Sequence, residues 1–347
     1  MTLLAWLIMV AISAALVGGY RQLALTRGWF DIPNQRSSHT AIVPRGAGVV
    51  HATIILLVAI TSPLWMGGRW WIAVSLAPGF AVAFIGWLDD IRGVSARSRF
   101  LIYAAACWGA VSIIFLNDGT DHRALVLILL IAGSGFALLW LVNLYNFMDG
   151  INGIAATEGI FVSMAALWLG RNDFEPGLAV LLLAIAATLF GFLPWNFPRA
   201  KVFMGDAGSA FLGFVLGTLA LWSVVRGSIN VWQWLILGGV FIVDASYTLL
   251  VRMATGQRWH DAHRSHAYQR LTDCTGSHAR AVLVLLLVNV AWLLPLAWWA
   301  RDSSSPLFCV WLAYMPLLAG GLILKAGKIL PSEKIVSLNH KMEMKNE

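Results

Sequence analysis

Two adjacent carboxylates, Asp89 and Asp90, are followed closely by Arg92, Arg97 and Arg99. Neighbouring carboxylates repel, and either those guanidinium groups or a divalent cation would relieve the repulsion. Taken alone, such a pair also reads as a solvated helix end. A second string runs Asn146-Phe147-Met148-Asp149-Gly150-Ile151-Asn152-Gly153, with Asn143 just upstream. Asn146 and Asp149 are three residues apart, so one helical turn places both hard oxygen ligands on one side. The glycines allow close backbone approach, and the stretch from 143 to 152 has no Lys or Arg. That composition suits a cation or polar ligand, with a simple turn as the plainer alternative.

In Met204-Gly205-Asp206-Ala207-Gly208-Ser209, Asp206 stands between glycines at a helix start. It either caps the helix or holds Mg²⁺ against a phosphate at the helix N-terminus, with Arg199 and Lys201 steering the anion. A fourth string, Arg258 to Arg270, carries His260, His263, Arg264 and His266. A permanent cation between candidate ligands and the lack of a thiolate disfavour a closed zinc site. Arginine and histidine donors suit phosphate. The early segment contributes Arg36, His39 and Pro44-Arg45-Gly46, again suited to an anion. Carboxylates that want a divalent cation beside donors that want phosphate make a metal-assisted phosphoryl-transfer site.

The elements that position these strings must be membrane spans. Of 347 residues, 59% are hydrophobic, 12% are charged and 18 are Trp. A soluble domain carries about twice that charged fraction, which excludes a cytosolic enzyme, a disordered chain and a disulfide scaffold. Cys107 and Cys309 lie in apolar runs and Cys274 in a polar loop, so there is no disulfide framework. Eleven apolar runs have span length: 3–20, 46–66, 70–88, 100–116, 124–142, 153–169, 177–195, 208–225, 231–251, 281–299 and 306–324. The first lacks a basic leader and reads as a retained span.

Alternating the loops puts 19 of the 24 Lys and Arg on one face and five, Arg69, Arg123, Arg171, Arg226 and Arg301, on the other. This is a positive-inside pattern, with the N-terminus periplasmic and the C-terminus cytoplasmic. All five polar strings fall on the cytoplasmic side. Within the runs only Glu158 and Asp244 carry formal charge, and each reads as a functional group or a structural hydrogen bond. No internal repeat is visible and almost all charge sits at one surface, which weakens a transporter reading. The expected fold is an all-α polytopic integral membrane protein of about eleven helices, with its active site in the cytoplasmic loops. Residues 1–330 form one membrane-embedded domain and 331–347 a cytoplasmic polar tail.

Asp89-Asp90, Asn146 to Gly150, Phe203 to Ser209 and His263-Arg264-Ser265-His266, in that order, resemble the polyprenyl-phosphate N-acetylhexosamine-1-phosphate transferases. The likeness spans about residues 30–275, and His-Arg-Ser-His-Ala-Tyr-Gln is most similar to the O-antigen-initiating subgroup. The resemblance implies transfer of a sugar 1-phosphate from a UDP-N-acetylhexosamine to undecaprenyl phosphate, with release of UMP and with Mg²⁺, or Mn²⁺, as cofactor. It implies membrane lipid as surroundings, no nucleic-acid partner, and room for a homodimer.

Asp89 would be the base or orienting group, with Asp90 beside it. Asp206 and Asn146 would hold the metal, Asp149 would shape the nucleotide pocket, and His263, Arg264 and His266 would bind phosphates or sugar. Further substrate contacts are expected from Arg36, His39, Arg45, Asn143, Asn146, Asn152 and Gly208. Asn152 stands where many members carry Asp. It keeps hydrogen bonding without the charge, so no catalytic role is assigned to it.

The charge asymmetry predicts that topology reporters fused after residues 120, 172 and 302 report outside and those after 95 and 270 inside. Two inversions among the five would end the eleven-run arrangement.

Overall fold

The computed structural model describes residues 2–33, 38, 40–66, 70–120, 123–258 and 263–329. Arg36, His39, His260 and the polar tail 331–347 lie outside the described residues.

Helix α1, Leu3–Arg27, starts where Thr2 Oγ1 accepts the Ala5 N–H at 3.2 Å and stops at Gly28, φ 71°. Two short strands follow, β1 Phe30–Asp31 and β2 Val43–Pro44, paired antiparallel. Then come α2 Gly48–Met66, α3 Trp70–Leu76 and α4 Gly79–Arg92, α5 Ala96–Leu116, α6 Ala124–Met148, α7 Ile154–Leu169, α8 Pro176–Asn196 and α9 Asp206–Val225. The chain continues through α10 Val231–Leu237, α11 Gly239–Ala254, α12 Ala267–Thr275 and α13 His278–Val288. A π-helical turn, Asn289–Leu293, leads to α14 Leu294–Trp299 and α15 Pro306–Ile323.

Each of the eleven apolar runs coincides with a helix or a broken helix. Among the described residues, eight helices are long and apolar enough to cross a bilayer. A ninth forms if α10 and α11, bent by 75° at their junction, count as one span. The remaining two runs are the shorter apolar helices Gly48–Leu64 and Ile154–Leu169. The chain is an all-α polytopic membrane protein. Two details depart from the sequence reading: the small β1–β2 pair, and α12, which folds inside a stretch that reads as loop. The tight turn at His266 and the mixed polarity of 267–275 hide that helix from a hydropathy scan.

Burial is graded across the bundle. Helix α9 is the centre, with 78% of its apolar window buried, followed by α8 at 67%, while α1 has only 17%. The α1 side chains Leu4, Leu7, Ile8 and Ile12 are exposed, a contiguous apolar face that fits a lipid solvent and not water.

At its start α9 is approached closely by the backbone of two other segments. A Cβ on Gly48 would lie 2.1 Å from the Gly208 Cα, and one on Gly86 2.7 Å from the Ala207 nitrogen. The Gly48 N–H donates to the Met204 carbonyl at 2.8 Å, and the Ala47 N–H to Phe203 at 3.1 Å. These contacts press the segment after β2 and the end of α4 against the entry to α9.

Replacing Gly48 with Ala should therefore destabilise the detergent-solubilised protein by roughly 1–3 kcal/mol through backbone overpacking. Gly19→Ala, in α1 with open space around its Cβ, should instead be neutral or stabilising by up to about 1 kcal/mol. Thermal unfolding of the two variants measures the contrast.

Candidate active site

The two aspartates at the end of α4 have different surroundings. Successive helical residues point about 100° apart, so the pair cannot face one ligand together. Asp90 turns inward, its side chain fully buried. Its Oδ1 accepts the Asp206 N–H at 3.0 Å and its Oδ2 the Ala207 N–H at 3.1 Å. Arg45 donates to Oδ1 from Nε at 3.0 Å and from a terminal nitrogen at 2.7 Å. Asp90 is thus a cap on α9 supplied by another helix, satisfying orphan N–H groups at the positive end of the dipole. Gly205, φ 73°, leaves room for it, since a Cβ there would meet the carboxylate at 2.3 Å.

Asp89 turns outward and is 14% exposed. Its Oδ1 accepts the Val94 N–H at 2.6 Å and its Oδ2 accepts Arg99 at 2.6 Å. The same Arg99 nitrogen also donates to Asp206 Oδ2. Two carboxylates from α4 and α9 therefore converge on one guanidinium nitrogen. Asn146, at the end of α6, reaches the same place, its amide donating to Ser209 Oγ at 3.3 Å one turn into α9.

Arg45, Asn146 and Asp206 open onto a cavity of about 240 Å³ lined also by Asp149, Asn152, Asn196, Gln269 and His278, while Asp89 and Arg99 stand outside its lining. Asp149 ends α6 in its wall. Enclosure by protein, and then the Asp206 and Asp90 charges, push its carboxyl well above the usual range, so it keeps a proton where an ordinary aspartate has lost one. Protonated, it can donate a hydrogen bond as well as accept one.

The histidine string is arranged around α12. Arg264 bonds Asp273 at 2.5 Å and Ser38 Oγ at 3.3 Å, which puts its guanidinium beside the pocket segment. Burial, helped by His266 and Arg252, pulls His263 down to about 3, so its imidazole is neutral in the physiological range. His263 offers a hydrogen bond, not a charge, and its Nδ1 lies 3.0 Å from Ser265 Oγ. His266 is buried against Asp244 at 3.2 Å and begins α12. Asn143 donates back to the Leu139 carbonyl of its own helix, and Gly208 packs on Gly48.

Two groups of the site were not legible as functional. Asn196, ending α8, accepts the Gly153 N–H at 2.6 Å and donates to Val202 at 3.0 Å, tying two cavity loops together. His278 starts α13, with Nδ1 3.2 Å from the Asn152 nitrogen and Nε2 3.0 Å from the Ser38 carbonyl oxygen. An N–H can only donate and a carbonyl only accept, so the neutral Nε2–H tautomer satisfies both contacts. The one signal for each was a polar side chain at the edge of an apolar run. The Asn152 amide donates to the Pro198 carbonyl at 3.1 Å, a bond an ionised Asp could not make.

Fold and site define a multi-pass membrane protein, with carboxylates and phosphate-type donors gathered at one end of its helices. Residues 71–224 match the family described as glycosyl transferase family 4. A probable undecaprenyl-phosphate N-acetylglucosaminyl 1-phosphate transferase of Bacillus subtilis is 30% identical over 277 residues, 78% of this chain and 76% of the relative. A decaprenyl-phosphate N-acetylglucosaminephosphotransferase of Mycolicibacterium smegmatis is 29% identical over 327 residues, 81% and 79% of the two chains. A phospho-N-acetylmuramoyl-pentapeptide-transferase of Picosynechococcus is 34% identical over half of each chain. The chain belongs to glycosyl transferase family 4, whose members here are phospho-sugar transferases.

The unequal aspartates predict unequal variants. Asp90→Asn leaves one α9 N–H facing an amide donor and should cost stability by about 1–3 kcal/mol. Asp89→Asn should preserve the melting temperature and lose turnover. If Asp89 is a base, its deficit shrinks from pH 6 to pH 9; a constant deficit assigns it to orienting instead.

Proposed function

We propose that this chain transfers N-acetylhexosamine 1-phosphate from a UDP-N-acetyl sugar to undecaprenyl phosphate, releasing UMP and starting a lipid-linked surface glycan. The observation that carries this reading is the convergence of Asp89 and Asp206 on one guanidinium nitrogen, at a polar pocket on the membrane face. Relatives named for polyprenyl-phosphate sugar transfer support the reaction class. The His-Arg-Ser-His-Ala-Tyr-Gln string favours O-antigen lipopolysaccharide as the glycan.

An oxygen of the lipid phosphate attacks the sugar-linked phosphorus, and the bond from that phosphorus to the oxygen retained by UMP breaks. A phosphate monoester has its second pKa near ~6, so much of the acceptor is already a dianion at neutral pH. Asp89 aligns or deprotonates it, and Asp149 supports the donor from the pocket wall. Arg45, Arg264 and the neutral His263 offer hydrogen bonds to phosphate or sugar oxygens.

The residues fit a Mg²⁺ or Mn²⁺ ion. Asp89 and Asp206 bring hard oxygens to one place where a single cationic nitrogen now serves both carboxylates, and the Asn146 amide lies close by on Ser209. Among the described residues no three His, Cys, Asp or Glu side chains form a complete metal cage. Mg²⁺ binds through one or two carboxylates and takes substrate phosphates and waters as its other ligands. Bound there, the ion would neutralise diphosphate charge and stabilise departing UMP.

The test is UMP release by purified protein with undecaprenyl phosphate, Mg²⁺ and a panel of UDP-N-acetyl sugars, including UDP-N-acetylmuramoyl-pentapeptide. Release is expected with an N-acetylhexosamine donor. It should vanish with EDTA and fall roughly 10²-fold or more in Asp206→Ala. Release only with the pentapeptide donor would move the chain to the peptidoglycan branch, and full activity in EDTA would remove the metal.

A further inference from the structure

Asp244 lies in α11, inside the bundle, with its carboxyl almost entirely buried. A carboxylate at such depth is costly unless its lone pairs are satisfied. Here they are. Oδ1 accepts the Ala267 N–H at 2.9 Å and Thr248 Oγ1 at 3.1 Å, and stands 3.2 Å from His266 Nδ1. Oδ2 accepts the Tyr268 N–H at 2.8 Å. The carboxylate therefore caps the first turn of α12, and none of its hydrogen bonds is left for a substrate.

Helix α12 in turn touches the pocket. The Tyr268 hydroxyl donates to the Phe147 carbonyl at 3.1 Å, two residues before Asp149. Gly150 passes so close that a Cβ there would lie 2.0 Å from the same hydroxyl. Gln269, the next residue of α12, lines the cavity together with Asp149 and Gly150. One unbroken set of hydrogen bonds runs from a carboxylate in a membrane helix, through the Tyr268 backbone and ring, to the turn that carries Asp149.

We propose that Asp244 is a positioning residue for the UDP-sugar pocket: by capping α12 it sets the spacing between Tyr268–Gln269 and the Phe147–Gly150 turn. The proposal rests on the transferase reading for its substrate, but not for its geometry. It selects the soluble donor because the α12 wall and the 147–150 turn enclose the pocket from outside the spans. Asp89, the group assigned to the lipid phosphate, sits instead at the end of α4 and does not line this cavity.

Asp244→Asn keeps the volume of the side chain but turns an N–H donor toward one of the two capped amides. Purified in detergent, it should show exchange of the 265–275 amides at least ~10-fold faster, with α1 and α9 unchanged. The KM for the UDP-sugar should rise by about tenfold, with the KM for undecaprenyl phosphate within about twofold, because small displacements of positioning groups are felt strongly. Tyr268→Phe leaves the backbone cap intact and removes only the bond to Phe147. It should raise the donor KM by a similar factor without changing α12 exchange.

Unchanged exchange in Asp244→Asn, or equal rises in both KM values, overturns the proposal. If Asp244→Asn fails to fold, Tyr268→Phe decides: a donor KM like wild type overturns it. If wild-type protein releases no UMP from any donor, the transferase reading falls. The exchange measurement then still decides whether Asp244 holds α12.

Discussion

A buried carboxylate on a foreign helix N-terminus organises this molecule. Asp90 sits where α4 ends and α9 begins, its oxygens shared among two α9 N–H groups and the Arg45 guanidinium. A charge in that position is tolerable only with every lone pair engaged, so the three segments it joins cannot move independently. Glycines at 46, 48, 86 and 205 are the steric counterpart of this arrangement, since a side chain at any of them would strike Asp90, Tyr20 or the α9 backbone. With Asp90 fixed, the helical offset sends Asp89 toward Arg99 and Asp206. The geometry of the chemistry follows from the geometry of the cap.

The same device recurs at Asp244, which caps α12 from α11. Both acids stand in apolar elements, both spend their acceptors on backbone N–H groups of another helix, and both lock a loop that carries polar side chains to the pocket. Helix dipoles make these pairings favourable. Glu158 is different: it accepts from Asn289 at 2.5 Å, opposite a π-helical turn, and joins two spans without reaching the pocket. The carboxylates inside the spans, Asp244 and Glu158, hydrogen-bond to other helices, whereas Asp149 and Asp206 border the polar cavity.

The loops of the site are held by polar side chains at helix ends rather than by their own packing. Asn196, His278, Asn152 and Tyr268 each bridge two segments distant in sequence, closing a small polar cavity over a bundle that is otherwise apolar. In a bilayer-facing protein such ties do the work that a hydrophobic core does for loops in a soluble enzyme, because the hydrocarbon layer ends where the loops begin.

Hydropathy by itself located the apolar helices of the described residues, though not how many of them cross the bilayer, because an apolar stretch of span length has few alternatives to a helix in lipid. Charge asymmetry and residue type by themselves gathered Asp89, Asn146, Asp149 and Asp206 as partners in one chemistry. What they could not decide was the division of labour between neighbours. Asp89 and Asp90 are chemically identical in the sequence, and only the packing of α4 against α9 buries one and leaves the other paired with Arg99 beside Asp206. Nor could they find α12, Asn196 or His278, whose roles depend on hydrogen bonds across as many as 240 residues of chain. Composition reports what a segment prefers to be surrounded by. Which of two like groups is spent on holding the fold, and which remains for substrate, is settled only when distant backbone donors arrive to claim one of them.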